Sequence, residues 1–411
     1  MARRGLSPST TNTAWSYVLQ AANLASSLAV IPLLSRALGA ETFGIYAFAF
    51  NILNYLAVVT AYGFQLWGSR EVARRQHPDD RGQIFYRVLY AKAILLAVVA
   101  IPWSLLAFGL FDGATGESIG WFGLALLGLT FNSAWLFIGA QGVKAPALAA
   151  LAARFLVVAL AFILVREPAD IFLYCGIYGL GCLLESSVQM VQARKFITTK
   201  PIKFRAADIA GLLRESFPLF LSSALGVFLA GAGVLVLGLV STPSELGGFA
   251  GVMRVVQFVV VLFVPLSNAL YPRSCVVPAE ESARRTMSLT TRIVPIFIVI
   301  SIGLSAASDW LISAFLGSDF LPYSPVVAPL AGWTVLAILA NITGIHGLVA
   351  QGRQQSYLGI IAISTFSTYL LTFVWGKSHG AIGAAYGVLV GEAIGVALIV
   401  ASITWRQRRF A

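Results

Sequence analysis

Stretches of about twenty almost uninterrupted apolar residues recur from one end of this chain to the other, and no other feature limits its fold so strongly. A helix rises 1.5 Å per residue, so about twenty residues cross a hydrocarbon layer about 30 Å thick. About twelve such windows can be marked, near 15–36, 43–65, 88–110, 118–141, 147–166 and 169–192 in the first half. The second half gives 217–240, 247–271, 292–314, 324–350, 356–375 and 380–404. The runs are continuous rather than alternating, which favours helices over a membrane barrel, because a helix satisfies its own backbone hydrogen bonds in lipid. Charged residues make up only 11% of the chain, against about a quarter in an ordinary soluble domain. The expected fold class is therefore an all-α polytopic membrane protein with about twelve transmembrane helices.

The first window is expected to be a retained helix and not a signal peptide. Met1 to Thr13 is polar, no small-residue cleavage site follows a short apolar core, and the window has full membrane length. Cys175 and Cys182 lie seven residues apart on one expected helix, too far to bridge, and with Cys275 read as apolar fillers.

A formal net charge of +11 raises the question of a nucleic-acid partner, and the distribution of the charge answers it. Basic residues gather in alternate connections. These are Arg3 and Arg4; Arg70, Arg74, Arg75, Arg81 and Arg87; Lys144; and Arg194, Lys195, Lys200, Lys203, Arg205 and Arg214 between the halves. Arg273, Arg284, Arg285 and Arg292, then Arg353, and finally Arg406, Arg408 and Arg409 continue the series. The opposite connections hold Arg36, Arg166 and Lys377 beside Glu41, Asp112, Glu117, Glu167, Asp170, Glu245 and Asp319. The positive-inside rule then puts both termini in the cytoplasm, with membrane lipids as the partner of the basic side. A nucleic-acid partner is not expected, since the basic clusters lack aromatic platforms. No connection is long enough to fold as a catalytic domain.

The two halves repeat one another. A shift of 204 lays "AETFGIYAF" at Ala40 on "SELGGFAGV" at Ser244, and Arg81 on Arg285. "NSAWLFIGAQG" from Asn132 matches "NITGIHGLVAQG" from Asn341, and "IYGLGCLLE" ending at Glu185 matches "AYGVLVGE" ending at Glu392. Four matches in register indicate duplication of a six-helix unit. An even helix number keeps both copies in one orientation, a parallel repeat about an axis along the membrane normal. The expected lobes are residues 1–204 and 205–411, joined by a basic linker from Ala193 to Ser216.

"IPLLSRALGAETFGIYAFAF" followed by "AYGFQLWGSREVAR" resembles the first two helices and first inner loop of Wzx-type polysaccharide-unit flippases. These belong to the multidrug/oligosaccharidyl-lipid/polysaccharide exporter superfamily. Leu38-Gly39, Phe43-Gly44, Tyr46 and Arg70-Glu71 carry the likeness, supported by Gln141-Gly142 and Gln351-Gly352. The resemblance implies two six-helix, MATE-like lobes around a central cavity in the bacterial inner membrane. It also implies alternating-access movement of an undecaprenyl-diphosphate-linked oligosaccharide to the periplasmic leaflet, alongside a glycan polymerase or chain-length machinery. Two other readings remain open: a cation-coupled multidrug exporter of the same fold, and a membrane glycan polymerase or ligase.

Charges inside spanning helices are functional candidates by default. Arg154 and Glu185 lie at similar depth in neighbouring windows, so they either form a structural ion pair or act separately. Arg254 interrupts "FAGVMRVVQFVVVLFVPL", and it either snorkels outward or faces a wet cavity. Lys92 stands one turn into the third window. An arginine fork matches a diphosphate in two-point geometry, which makes Arg254, Arg154 and Lys92 the candidate substrate-binding residues. Glu392 and Glu185 are candidates for ion coupling or for a structural pair. Asn23, Asn51, Asn54, Asn132, Gln141, Gln257, Asn341 and Gln351 either bond sugar hydroxyls or join helices, and His346 reads first as a packing residue. His77, His346 and His379 are scattered and no Walker A or cysteine-histidine spacing occurs. No catalytic residue, metal or cofactor is therefore expected.

Overall fold

In the computed structural model, which describes residues 8–75, 77–197, 205–275 and 279–410, the chain is a succession of helices, with no strand among those residues. Arg3, Arg4, Lys200 and Lys203, and the side chains of Asn23, Arg273, Arg406, Arg408 and Arg409, lie outside the described residues. Ten helical stretches among the described residues are long and apolar enough to cross a membrane. Two of them, Ala29–Arg74 and Gln354–Thr404, run 46 and 51 residues, more than double a single crossing. Helix α1 (Pro8–Ala61) bends at Gly39, where φ is 70°. The last helix, Gln354–Phe410, bends at Gly380, where φ is 57°. Both values fall in the left-handed region that glycine adopts without steric cost, and division at these bends accommodates twelve spans.

By their contacts the residues form two compact units, one comprising Met1–Leu38 and Ala49–Val227, the other Gly39–Phe48 and Phe228–Ala411. In the first unit, α2 (Phe64–Arg74), α3 (Pro78–Leu105), α4 (Gly113–Trp121), α5 (Gly123–Phe131), α6 (Ala134–Gly139), α7 (Lys144–Leu164) and α8 (Ile171–Ala193) follow in order. Helix α9 (Ala206–Val240) completes this unit as far as Val227 and then enters the second. Phe64, Trp67, Phe85, Trp135, Phe137 and Leu212 belong to one buried cluster. Gly63 opens α2 at φ 70°, and a methyl there would stand 2.7 Å from the Phe220 backbone nitrogen.

Two connections expected to be polar loops are largely helical. Residues 206–216, expected as linker, form the first turns of α9, because Ile209, Leu212 and Ser216 share one face and are buried. The Arg87 Nε donates to the Asp208 carbonyl at 2.9 Å, tying this extension to α3. The connection 66–87 likewise holds α2, an amphipathic helix whose Phe64, Trp67 and Val72 are buried while Arg70 and Arg74 are exposed.

The second unit contains α10 (Pro243–Cys275), α11 (Ala279–Ala306), α12 (Ser308–Phe315), α13 (Val327–Asn341) and α14 (Gln354–Phe410). Residues 39–48 pack on the start of α10 through glycines. A methyl on Gly247 would fall on the Ala40 carbonyl and 3.0 Å from the Gly44 nitrogen, and one on Gly44 would stand 2.8 Å from the Gly247 nitrogen. Such an approach of two backbones is open only to residues without a Cβ. Beside it, fully buried Phe43 and Phe320 meet edge to face at 5.7 Å. Glu245 Oε2 accepts from the Ala381 N–H at 2.6 Å, satisfying an amide freed by the Gly380 bend.

Candidate functional site

The fourth expected helix is broken in both halves. In the first it ends at Phe131, and α6 restarts at Ala134 after Asn132 and Ser133. This break is the hub of a polar cluster inside an otherwise apolar unit. Lys92, 5% exposed, extends from α3 and donates from Nζ to the Asn132 carbonyl at 2.9 Å. That carbonyl lies at the C-terminal end of α5, where a cation is favoured. Asn132 Nδ2 donates to Glu185 Oε1 at 3.0 Å, and Gln189 Nε2 donates to the same oxygen at 3.1 Å. The Gln189 carbonyl oxygen accepts from the Ser133 N–H at 2.7 Å. Glu185 Oε2 stands 4.0 Å from Arg154 Nη2, whose Nη1 is buried without a hydrogen-bond partner among the described residues.

The structure thus brings together Lys92, Arg154 and Glu185, three of the five charges singled out from the sequence. Glu185 is the acceptor shared by two amide donors and stands opposite a guanidinium, the contacts of a structural carboxylate. Asn132 and Gln189 complete the cluster; Gln189 carried no sequence signal beyond its position one helical turn after Glu185.

In the second half the equivalent helix is interrupted differently. After α13 the chain makes a π-helical turn at Ile342–His346 and a short 3-10 turn at Val349–Gln351. Inserted π turns commonly accompany functional sites. His346, 2% exposed, sits between two α10 serines, with Nε2 3.1 Å from Ser267 Oγ and Nδ1 2.9 Å from Ser274 Oγ. Ser267 already donates to Asn341 Oδ1 at 2.7 Å. Ser274 Oγ likewise lies 3.3 Å from the Leu270 carbonyl, to which it donates. Both ring nitrogens of His346 thus have a hydroxyl partner on α10. Ser267 and Ser274 were not singled out from the sequence, because serines on an apolar helix give no distinct pattern.

Arg254 and Glu392 belong to neither cluster. On α10, Phe249, Met253, Val256 and Phe263 are buried, whereas Arg254 is exposed. Its charge is therefore presented at the surface of the unit and is not sealed in the apolar core. Glu392 on α14 is half-buried and lies beside the Trp333 indole and within electrostatic reach of Tyr357. Among the described residues no cluster of histidine, cysteine and carboxylate side chains could hold a metal ion.

Comparison with known proteins adds family information to this geometry. Residues 9–275 match the family described as "Polysaccharide biosynthesis protein". A protein of Escherichia coli (strain K12) described as an O-antigen transporter is 23% identical over 395 residues, covering 95% of each chain. A protein of Shigella dysenteriae with the same description is 23% identical, covering 94% of this chain and 98% of that one. Among solved structures, an inward-facing multidrug resistance MATE family transporter of the MOP superfamily superposes with a TM-score of 0.70 at 14% identity over 93% of each chain. The lipid II flippase MurJ in an inward closed conformation gives 0.65 at 16% identity over 94% of this chain and 87% of that one. The MATE-like fold expected from the sequence is the observed one.

Proposed function

The chain belongs to the polysaccharide biosynthesis protein family, and on that footing we propose that it flips an undecaprenyl-diphosphate-linked oligosaccharide from the cytoplasmic to the periplasmic leaflet by alternating access. It works as a transporter in the bacterial inner membrane with both termini in the cytoplasm, and carries out no chemical step on the glycan. Its six-helix halves, residues 1–204 and 205–411, are the lobes that move. A glycan polymerase and chain-length machinery are its proposed downstream partners.

Arg254 is the observation that carries this reading. An arginine in an apolar span is costly in lipid, yet this one is held at an exposed position on α10. A diphosphate entering the membrane region brings the matching charge, and the guanidinium fork grips it at two points. Lys92 and Arg154 support the same substrate indirectly, by fixing the break at Asn132 and Ser133 from which α6 departs. A drug-exporter reading has no comparable support, since it calls for an acidic and aromatic pocket.

The test is transfer of a fluorescent undecaprenyl-diphosphate oligosaccharide between proteoliposome leaflets. Wild type is expected to flip it. Arg254→Ala is expected to lose most of the rate at normal expression, and Arg254→Lys to retain part of it. Wild-type rates in both variants would refute the role of Arg254, and no transfer by folded wild type would refute the substrate.

A further inference from the structure

Helix α11 changes character along its exposed side. Glu281, Arg284, Arg285 and Ser288 are spaced i, i+3, i+4, i+7 and so share one face, and they line a cavity of about 730 Å³. Exposed Arg292 continues that face one turn further on. Beyond it the face becomes apolar, with Val299 68% and Ile302 63% exposed. The other side of the helix is committed to the interior, where Leu289, Ile293 and Phe297 pack against Phe263, Ile338 and Ile342. Fourteen residues separate Arg285 from Val299, about 21 Å of helix.

A basic cavity continuing into an apolar strip matches a lipid whose headgroup is anionic and whose tail is long. Three arginines against one glutamate leave this half of the face a formal charge of +2. That excess suits a diphosphate better than the single charge of a phosphodiester headgroup, and paired guanidiniums suit its oxygens. The apolar part of α11 begins after Arg292 with "IVPIFIVISIGL", so the cavity lies one to two turns before it, at the membrane boundary, where a headgroup resides. Arg254 lies 21 residues before the end of α10 at Cys275, about 31 Å along that helix.

We propose that this face of α11 is a docking site for a prenyl diphosphate, separate from Arg254. Arg284 and Arg285 hold the diphosphate in the cavity, Ser288 donates to one of its oxygens, and the prenyl chain lies along Val299 and Ile302. The proposal rests on the transport reading above, and it assigns the site where a lipid-linked substrate is first taken from the inner leaflet.

Binding of farnesyl diphosphate to the full chain in phosphatidylcholine nanodiscs tests it, with inorganic diphosphate and phosphatidylglycerol as competitors. Arg284→Ala with Arg285→Ala is expected to weaken binding at least tenfold, the scale of one lost charge-assisted hydrogen bond. Arg284→Lys with Arg285→Lys is expected to lose less. Val299→Gln is expected to weaken farnesyl diphosphate and leave inorganic diphosphate unchanged. Unchanged affinity in the double alanine variant would overturn the site; if that variant does not fold, unchanged affinity in Arg284→Gln would do the same. Competition by phosphatidylglycerol equal to that by farnesyl diphosphate would show a bulk-lipid site and overturn the assignment. Equal effects of Val299→Gln on both diphosphates would overturn the tail path. Wild type that binds but never flips would remove the transport reading and leave the site standing. Flipping with undiminished binding in the arginine variants would do the reverse.

Discussion

Replacement of Glu185 tests whether the buried cluster of the first unit is structural. In the native arrangement its carboxylate accepts from Asn132 and Gln189 at 3.0 and 3.1 Å and faces Arg154 at 4.0 Å. Glu185→Ala leaves two amide donors without an acceptor, at about 1 kcal/mol each. It also leaves Arg154, only 30% exposed, without a counter-charge, which adds about 1 to 2 kcal/mol and brings the total near the lower end of the range for broken buried pairs. Glu185→Gln keeps one acceptor oxygen and the side-chain shape, so its cost is about 1 to 2 kcal/mol, almost all from Arg154. Adding Arg154→Met to Glu185→Gln removes the stranded charge and is expected to recover most of that loss. Thermal unfolding of purified protein followed by tryptophan fluorescence gives the ranking, and the four-member cycle isolates the pair. Glu185→Gln is also expected to keep flipping and to keep its response to an imposed ion gradient. Equal stability of wild type and Glu185→Ala, or loss of gradient response in Glu185→Gln alone, would refute the structural reading of Glu185.

Two further outcomes follow from positions outside this cluster. A methyl on Gly247 meets the Ala40 carbonyl and the Gly44 nitrogen, which are backbone atoms with little freedom to retreat. Gly247→Ala is therefore expected to cost about 1 to 3 kcal/mol. Gly226→Ala, on α9 with no neighbour within 4 Å of the added methyl, is expected to be neutral or stabilising by up to about 1 kcal/mol; equal melting temperatures for the two variants would contradict the close crossing. Glu392→Gln keeps the side-chain shape beside the Trp333 indole and removes the charge. It is expected to flip substrate down its own gradient while losing acceleration by an imposed proton or sodium gradient, and an undiminished response would remove Glu392 from coupling.

The spans could be read from the sequence because hydropathy alone decides whether twenty residues enter lipid. The interruptions within them could not. "LTFNSAW" and "ANITGIHG" are apolar enough to pass as continuous helix, and the break appears only once Lys92 and Gln189 are seen to satisfy backbone groups around Asn132 and Ser133. The approach of Arg154 to Glu185 could be anticipated from their matching depths, since both partners are charged. The partner of Lys92 is a main-chain carbonyl, which has no sequence signature. Residues 206–216 were hidden for a related reason: three basic and acidic side chains around Ile209 and Leu212 resemble a linker until their apolar face finds α3.

The internal repeat sharpens what the two halves do differently. Asn132 and Asn341 correspond, and each marks an interrupted fourth helix. Glu185 and Glu392 correspond too, but Glu185 faces a guanidinium and two amides, whereas Glu392 faces an indole and lies near a phenol. Duplication supplied the same carboxylate twice, and the surroundings have diverged. One copy stands opposite a guanidinium 4.0 Å away and two amide donors, and the other lies among neutral aromatic groups, so the two carboxylates are expected to respond differently to replacement by glutamine. The half that holds Glu392 also carries the exposed Arg254 and the basic face of α11. Loss of gradient response in Glu392→Gln together with its retention in Glu185→Gln is the outcome that would assign the two carboxylates different roles.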